Sequence, residues 1–262
     1  MELLFASEGP LATLAVVERR LATYRSVLGE SDVRTALALS DLAVVEHQLG
    51  RNEAAEVGYR TSAAILAEVA ADNDPRAAYP HANLAALLRE SGRVEEAERE
   101  ARLAYSIRRT ALGPAHPETA LTLSFLGRVL IERGNLEEGE AAVREALGHL
   151  EGRDTFGAST ARENLAAMLL ASGRPAEALQ QAERVVAERA EMLPEEHILS
   201  LSARLLRAKV LAEIGRLEEA RSELAAVLPA LERQGDAAGS LAEAARQLVA
   251  KLGESAPAGE RK

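Results

Sequence analysis

Five histidines, His47, His81, His116, His149 and His197, are the side chains of this chain best suited to hold a metal or to move a proton near neutral pH. No two of them stand four residues apart, the spacing at which one helix face presents two imidazoles to zinc in an HExxH motif. There is no cysteine, which excludes thiolate metal sites, a cysteine nucleophile and disulfide staples. Carboxylates are abundant, but in EEAERE and LEEGEAA they open helical patterns, where negative charge meets the exposed amide end of the helix dipole. A phosphate-cradling loop needs clustered glycines after a strand; here the glycines stand singly between helical patterns, and no GxSxG elbow occurs. The sequence therefore assigns no catalytic residue, no metal ligand and no cofactor, and an enzymatic role would require an unrecognised site.

The elements that position these side chains come from a repeat. A Gly followed by Arg or Asn recurs at Gly50, Gly92, Gly134, Gly173 and Gly215, in the segments LGRNEAAE, SGRVEEAE, RGNLEEGE, SGRPAEAL and IGRLEEAR. The successive intervals are 42, 42, 39 and 42 residues. Each Gly sits between two helical patterns, where positive φ lets one helix end and the chain turn into the next. Seven residues before the Gly stand Ala43, Ala85, Gly127, Ala166 and Ala208, and five after it Ala55, Ala97, Gly139, Ala178 and Ala220, small side chains that permit close helix contact. Positions eleven, eight, seven, four and one before the Gly fall on one side of the first helix and make its buried stripe, with Glu46 and Arg207 as exceptions expected at the loosely packed first and last repeats. With four Tyr, three Phe and no Trp, each interface is small, so stability must be summed over many.

From Tyr105 to Leu147 the chain reads YSIRRTALGPAHPETALTLSFLGRVLIERGNLEEGEAAVREAL, and YRSVLGESDVRTALALSDLA from Tyr24 repeats that pattern earlier. This resembles the tetratricopeptide repeat family, in the 42-residue form of kinesin light chains and many bacterial multi-repeat proteins. The resemblance covers roughly residues 10–252 and implies an all-α, right-handed superhelical solenoid of antiparallel helix pairs, whose first helices line a concave face and whose activity is binding. The expected organisation is a single solenoid over 1–254, with a partial repeat at 1–31, five full repeats at about 32–236, a capping helix at 237–252 and a disordered tail at 255–262. Pro10–Leu28 reads as a second helix whose partner has only MELLFAS to form from: either the chain is part of a longer polypeptide, or this is a short N-terminal cap. EGRDTFGAST carries the three-residue shortening and predicts a shorter second helix, with a rigid irregularity or a hinge between the third and fourth repeats.

A formal charge of −10, with no run of Lys and Arg, argues against nucleic acid and anionic membrane surfaces as partners. The N-terminus lacks a basic leader and no apolar run approaches the roughly 20 residues of a membrane span, which places the protein in the cytoplasm. The expected partner is a protein or peptide; the oligomeric state is left open. On the face opposite the buried stripe, Tyr79, Leu121 and Phe125 form an apolar patch beside Arg128, an aromatic anchor with a cation. Asn83 and Asn164, in HANLAALL and RENLAAML, match the asparagine with which such repeats often bind peptide backbone, and Lys209 occupies the position of Arg128 two repeats on. The function expected is an adaptor holding a peptide or protein segment in this groove. The alternative is a regulatory or sensing region of a larger signalling protein, such as a kinase, a nucleotide-switch protein or a transcriptional regulator.

Overall fold

The structure, a computed structural model, describes residues 2–254; the tail expected at 255–262 lies outside the described residues. Among the described residues all regular structure is helical, with twelve α-helices and two short 3₁₀ turns, as the sequence leads one to expect. No described helix is long and apolar enough to cross a membrane. The chain divides into two compact units, Met1–Gly139 and Glu140–Lys262, and the boundary falls within one helix.

The first unit contains α1 (Glu2–Leu28), the pair α2 (Val33–Gln48) and α3 (Asn52–Val69), the pair α4 (Ala78–Glu90) and α5 (Val94–Leu112), then α6 (Pro117–Glu132) and the start of α7 (Leu136–Leu150). The second holds the rest of α7, α8 (Thr155–Ala171) with α9 (Pro175–Met192), α10 (Ile198–Glu213) with α11 (Leu217–Arg233), and α12 (Gly239–Glu254). The turn inside each pair is one device used five times. Gly50, Gly92, Gly134, Gly173 and Gly215 all have φ between 71° and 95°. The next residue's amide donates to the carbonyl five back, as from Arg51 to Glu46 and from Arg93 to Leu88. That pairing satisfies the last carbonyls of the helix and aims the chain into the following one.

Close packing follows from the small residues. Ala43, Ala85, Ala166 and Ala208 on first helices and Ala55, Ala97, Ala178 and Ala220 on second helices are all buried. A Cβ on Gly58 would stand 2.8 Å from that of Ala43, and one on Gly139 would stand 2.8 Å from the Gly127 carbonyl oxygen. One core cluster of the second unit spans α10, α11 and α12, with α12 contributing Ala242, Ala245, Leu248 and Leu252 beside Leu205, Leu224 and Leu231.

Two irregularities stand out. The shortened interval falls on α7, which has 15 residues where α3, α5, α9 and α11 have 17 to 19. At the start of the chain, α1 runs unbroken past Pro10, where the sequence predicts two elements. The segment 2–7 is under two helical turns long, too short to hold a helix of its own, and it is the first part of α1 instead. The glycines give a test with opposite signs. Gly58→Leu is expected to destabilise by about 2–3 kcal/mol through overpacking. Gly148→Ala, inside α7 with nothing near its added methyl, is expected to stabilise by up to about 1 kcal/mol. Urea unfolding of both variants measures the difference.

Candidate functional site

The first helices carry the candidate site, and in each of the five repeats a side chain caps the start of the first helix or, for Asp74, of the 3₁₀ turn Pro75–Ala77 that leads into α4. Asp32, Asp74, His116, Asp154 and His197 each accept a hydrogen bond from a backbone amide two or three residues on, at 2.8 to 3.3 Å. His116 and His197 thus use Nδ1 as helix caps in the role that Asp fills elsewhere, which ties up orphan amides of the first turn.

In the first unit, Tyr79 is half-buried on α4 and lines a cavity of about 330 Å³ with Leu37, Asp41, Pro75, Arg76, Arg108 and Glu118. The cavity has an apolar floor and charged walls. Burial pushes the Asp41 carboxyl above its usual value although Arg20 is paired with it, and burial lowers Arg108, which donates to Thr122 Oγ1 at 2.6 Å. Asn83 lies one helical turn beyond Tyr79, and its Nδ2 is buried without a hydrogen-bond partner. Leu121 and Phe125 are half-buried on α6. Phe125 also packs against the clusters holding Leu84, Leu88 and Leu126, so part of its ring completes the core rather than facing out. Arg128 is exposed and pairs with Glu132 at 3.4 Å.

In the second unit, Asn164 is half-buried on α8 and Lys209 half-buried on α10. Burial pushes the Lys209 ammonium below its ordinary value. Lys209 shares a cavity with Leu170 of α8 but not with Asn164. Among the described residues no group of three His, Asp or Glu gathers as a metal site would need.

Sequence reasoning missed the charges inside the helix stack. The position eleven before the Gly, on the buried stripe, carries Leu39, His81, Leu123, Arg162 and Arg204. His81 meets Glu100 at 2.6 Å and Arg204 meets Glu223 at 2.5 Å, each partner lying 19 residues on. Arg162, 1% exposed, reaches Glu151 at 2.6 Å and Glu188 at 2.7 Å. Arg207, expected as a tolerated exception in the stripe, joins Arg204 on the buried Glu223 carboxylate. A second lattice explains the Gly-Arg dipeptide. Arg93 forks onto Glu96 at 2.7 Å and reaches Glu56 of the previous pair at 2.8 Å; Arg174 does the same with Glu177 and Glu140 at the same distances. The signal was present in the sequence, because Glu56, Glu98 and Glu140 all stand six residues after a repeat Gly. Where Asn135 replaces the arginine, the neighbouring Arg133 takes over and pairs with Glu98.

The geometry defines a class first: helix pairs stacked by a repeated turn, with polar and aromatic side chains displayed along the first helices. Residues 75–152 and 159–199 match the tetratricopeptide repeat family. Those two segments are tetratricopeptide repeats, and the chain shares its fold with solved proteins built of such repeats. A Podosopora anserina protein described as a kinesin light chain, built of nearly identical TPR-like repeats, superposes with a TM-score of 0.60 at 22% identity, covering 75% of this chain and 94% of its own. BtubC (BKLC) from P. vanneervenii gives 0.69 at 18% identity, covering 88% and 94%. A Rap protein complexed with Competence and Sporulation Factor gives 0.67 at 17% identity, covering 97% and 72%. At these identities the likeness is one of fold. No curated protein matches the chain.

Two stability predictions follow from the ion pairs. Glu163 accepts from both Arg189, 1% exposed, and Ser202, so Glu163→Ala leaves a buried guanidinium with only the Leu199 carbonyl. A loss of about 3 kcal/mol is expected in urea unfolding. Burial alone would raise the Glu98 carboxyl, but hydrogen bonds from Arg133 and Arg102 outweigh it and hold the group below the ordinary 4.5; Glu140 behaves likewise with Arg144 and Arg174. A depressed folded pKa gives stability that is present above the unfolded value and is lost as pH falls through the folded one. Melting temperature should therefore drop as pH is lowered below about 4.5, and more gently in Glu98→Gln than in the parent.

Proposed function

We propose that this chain is a protein-interaction scaffold that binds an extended peptide segment along the first-helix face of its first unit. The observation that carries the reading is the Asn83 side chain, whose Nδ2 is buried with no acceptor, one helical turn from the cavity beneath Tyr79. A buried unpartnered donor is unfavourable in the free protein, and a peptide carbonyl is the acceptor it lacks. Tyr79, Leu121 and the exposed part of Phe125 supply apolar contact, and Arg128 a cation that releases Glu132 to meet an acidic residue. Asn164 and Lys209 hold the matching positions of the second unit. The fold supports this use, since the Rap protein of the same fold carries Competence and Sporulation Factor in its complex.

Selection of a random peptide display library against the chain, followed by titration of the recovered peptides by fluorescence anisotropy, tests the assignment. Asn83→Ala and Tyr79→Ala are each expected to weaken binding about 10-fold, the equivalent of one hydrogen bond or one aromatic contact. Unchanged affinity in both variants, with Arg128→Glu also silent, would remove the groove from the account.

A further inference from the structure

A different cavity, of about 380 Å³, lies in the second unit between α8, α10 and α12. Its lining combines the apolar Leu170, Ala244 and Leu248 with Lys209, Glu213, Gln247 and Lys251. The charges do not cancel. Glu213 is taken by Lys251 at 3.0 Å, and Lys209, one turn before Glu213 on the same helix, has no hydrogen bond or ion pair among the described residues. A half-buried ammonium without a counter-charge opposes folding unless something supplies one.

Residue choice strengthens the point. Of the 31 Lys and Arg in the chain only three are Lys, at 209, 251 and 262, so two of the three line this one cavity. The ion pairs that hold the helices together are otherwise built from Arg. Arginine offers a wide planar fork, whereas lysine ends in a compact charge that fits the end of a narrow cleft. The volume sits at the lower end of the about 300–1,000 Å³ usual for ligand pockets, enough for one side chain and its neighbour.

We propose that this cavity is a second ligand site, which takes a carboxylate borne next to an aliphatic group, with Lys209 as the cation and Leu170, Ala244 and Leu248 as the apolar lining. Gln247, whose Nε2 already donates to Glu243 Oε1 at 3.1 Å, gives its second amide hydrogen to the other carboxylate oxygen. The carboxylate comes either from an acidic side chain of a bound partner or from a free aliphatic acid. The site lies in the second unit and does not rest on the reading of Asn83 in the first.

The three lysines make the test direct. In a ¹³C-lysine-labelled chain, hexanoate is expected to shift the Lys209 Cε signal saturably and to move its titration midpoint to higher pH, with Lys262 as the unmoved internal reference. Hexanamide should do neither. Lys209→Met should weaken hexanoate binding at least 10-fold, followed on the Lys251 signal, and Lys251→Gln should weaken it less. The peptide acetyl-Leu-Glu-Leu-amide and its Gln analogue separate the sources: tighter binding of the Glu peptide than of hexanoate assigns the site to a partner's side chain, and the reverse order assigns it to a free acid. A Lys209 signal that stays still with both carboxylates, or that moves equally with hexanamide or together with Lys262, overturns the proposal. None of these outcomes depends on Asn83, so the groove and this site fail or stand separately.

Discussion

A glycine with positive φ ends the first helix of every repeat, and the hydrogen bond that closes over it sets where the second helix begins. That geometry requires small residues on either side, because two helices joined by so tight a turn meet within a few residues of it. At Gly58 against Ala43, and at Gly139 against Gly127, even an added Cβ would come within 2.8 Å of the facing helix. Larger side chains there would pry the pair apart, and every contact made by the outer faces would shift with it.

Once the pairs are set, ion pairs decide how one meets the next. Arg93 holds its own helix through Glu96 and the previous pair through Glu56, and Arg174 does so with Glu177 and Glu140. Such pairs add little net stability because both partners lose water. Their effect is on register: a displaced neighbour would leave a charge unpaired, which is costly when Arg162 or Arg189 is almost wholly buried. Binding then uses what this framework leaves over. Tyr79 and Asn83 are among the half-buried side chains of α4 left over once Leu84, Leu87 and Leu88 are committed to the core.

Much of the fold was legible in the sequence because it depends on local rules. A Gly between two helical patterns has one structural use, and five in phase with small residues at fixed offsets determine the helix pairs. That His116 caps a helix through Nδ1, by contrast, takes coordinates to see. Side-chain pairing was not legible, because the partner of Arg162 or Arg204 depends on the angle between neighbouring helices, which spacing along the chain does not supply. The same limit applies at Phe125, whose spacing assigns it to the groove while the packing shares it with the core. It applies again at Lys209, where spacing gives the face but not the cavity shared with α12.

Peptide binding in the first unit turns on whether the Asn83 amide gains an acceptor from the ligand. Side-chain amide resonances of the asparagine-labelled chain, recorded with and without a selected peptide, test it at the atom concerned. On binding, the Asn83 Nδ2 protons should move downfield and exchange more slowly with solvent, as a newly made hydrogen bond to a carbonyl demands. A peptide that binds while those protons keep their shift and exchange rate would contradict this role of Asn83.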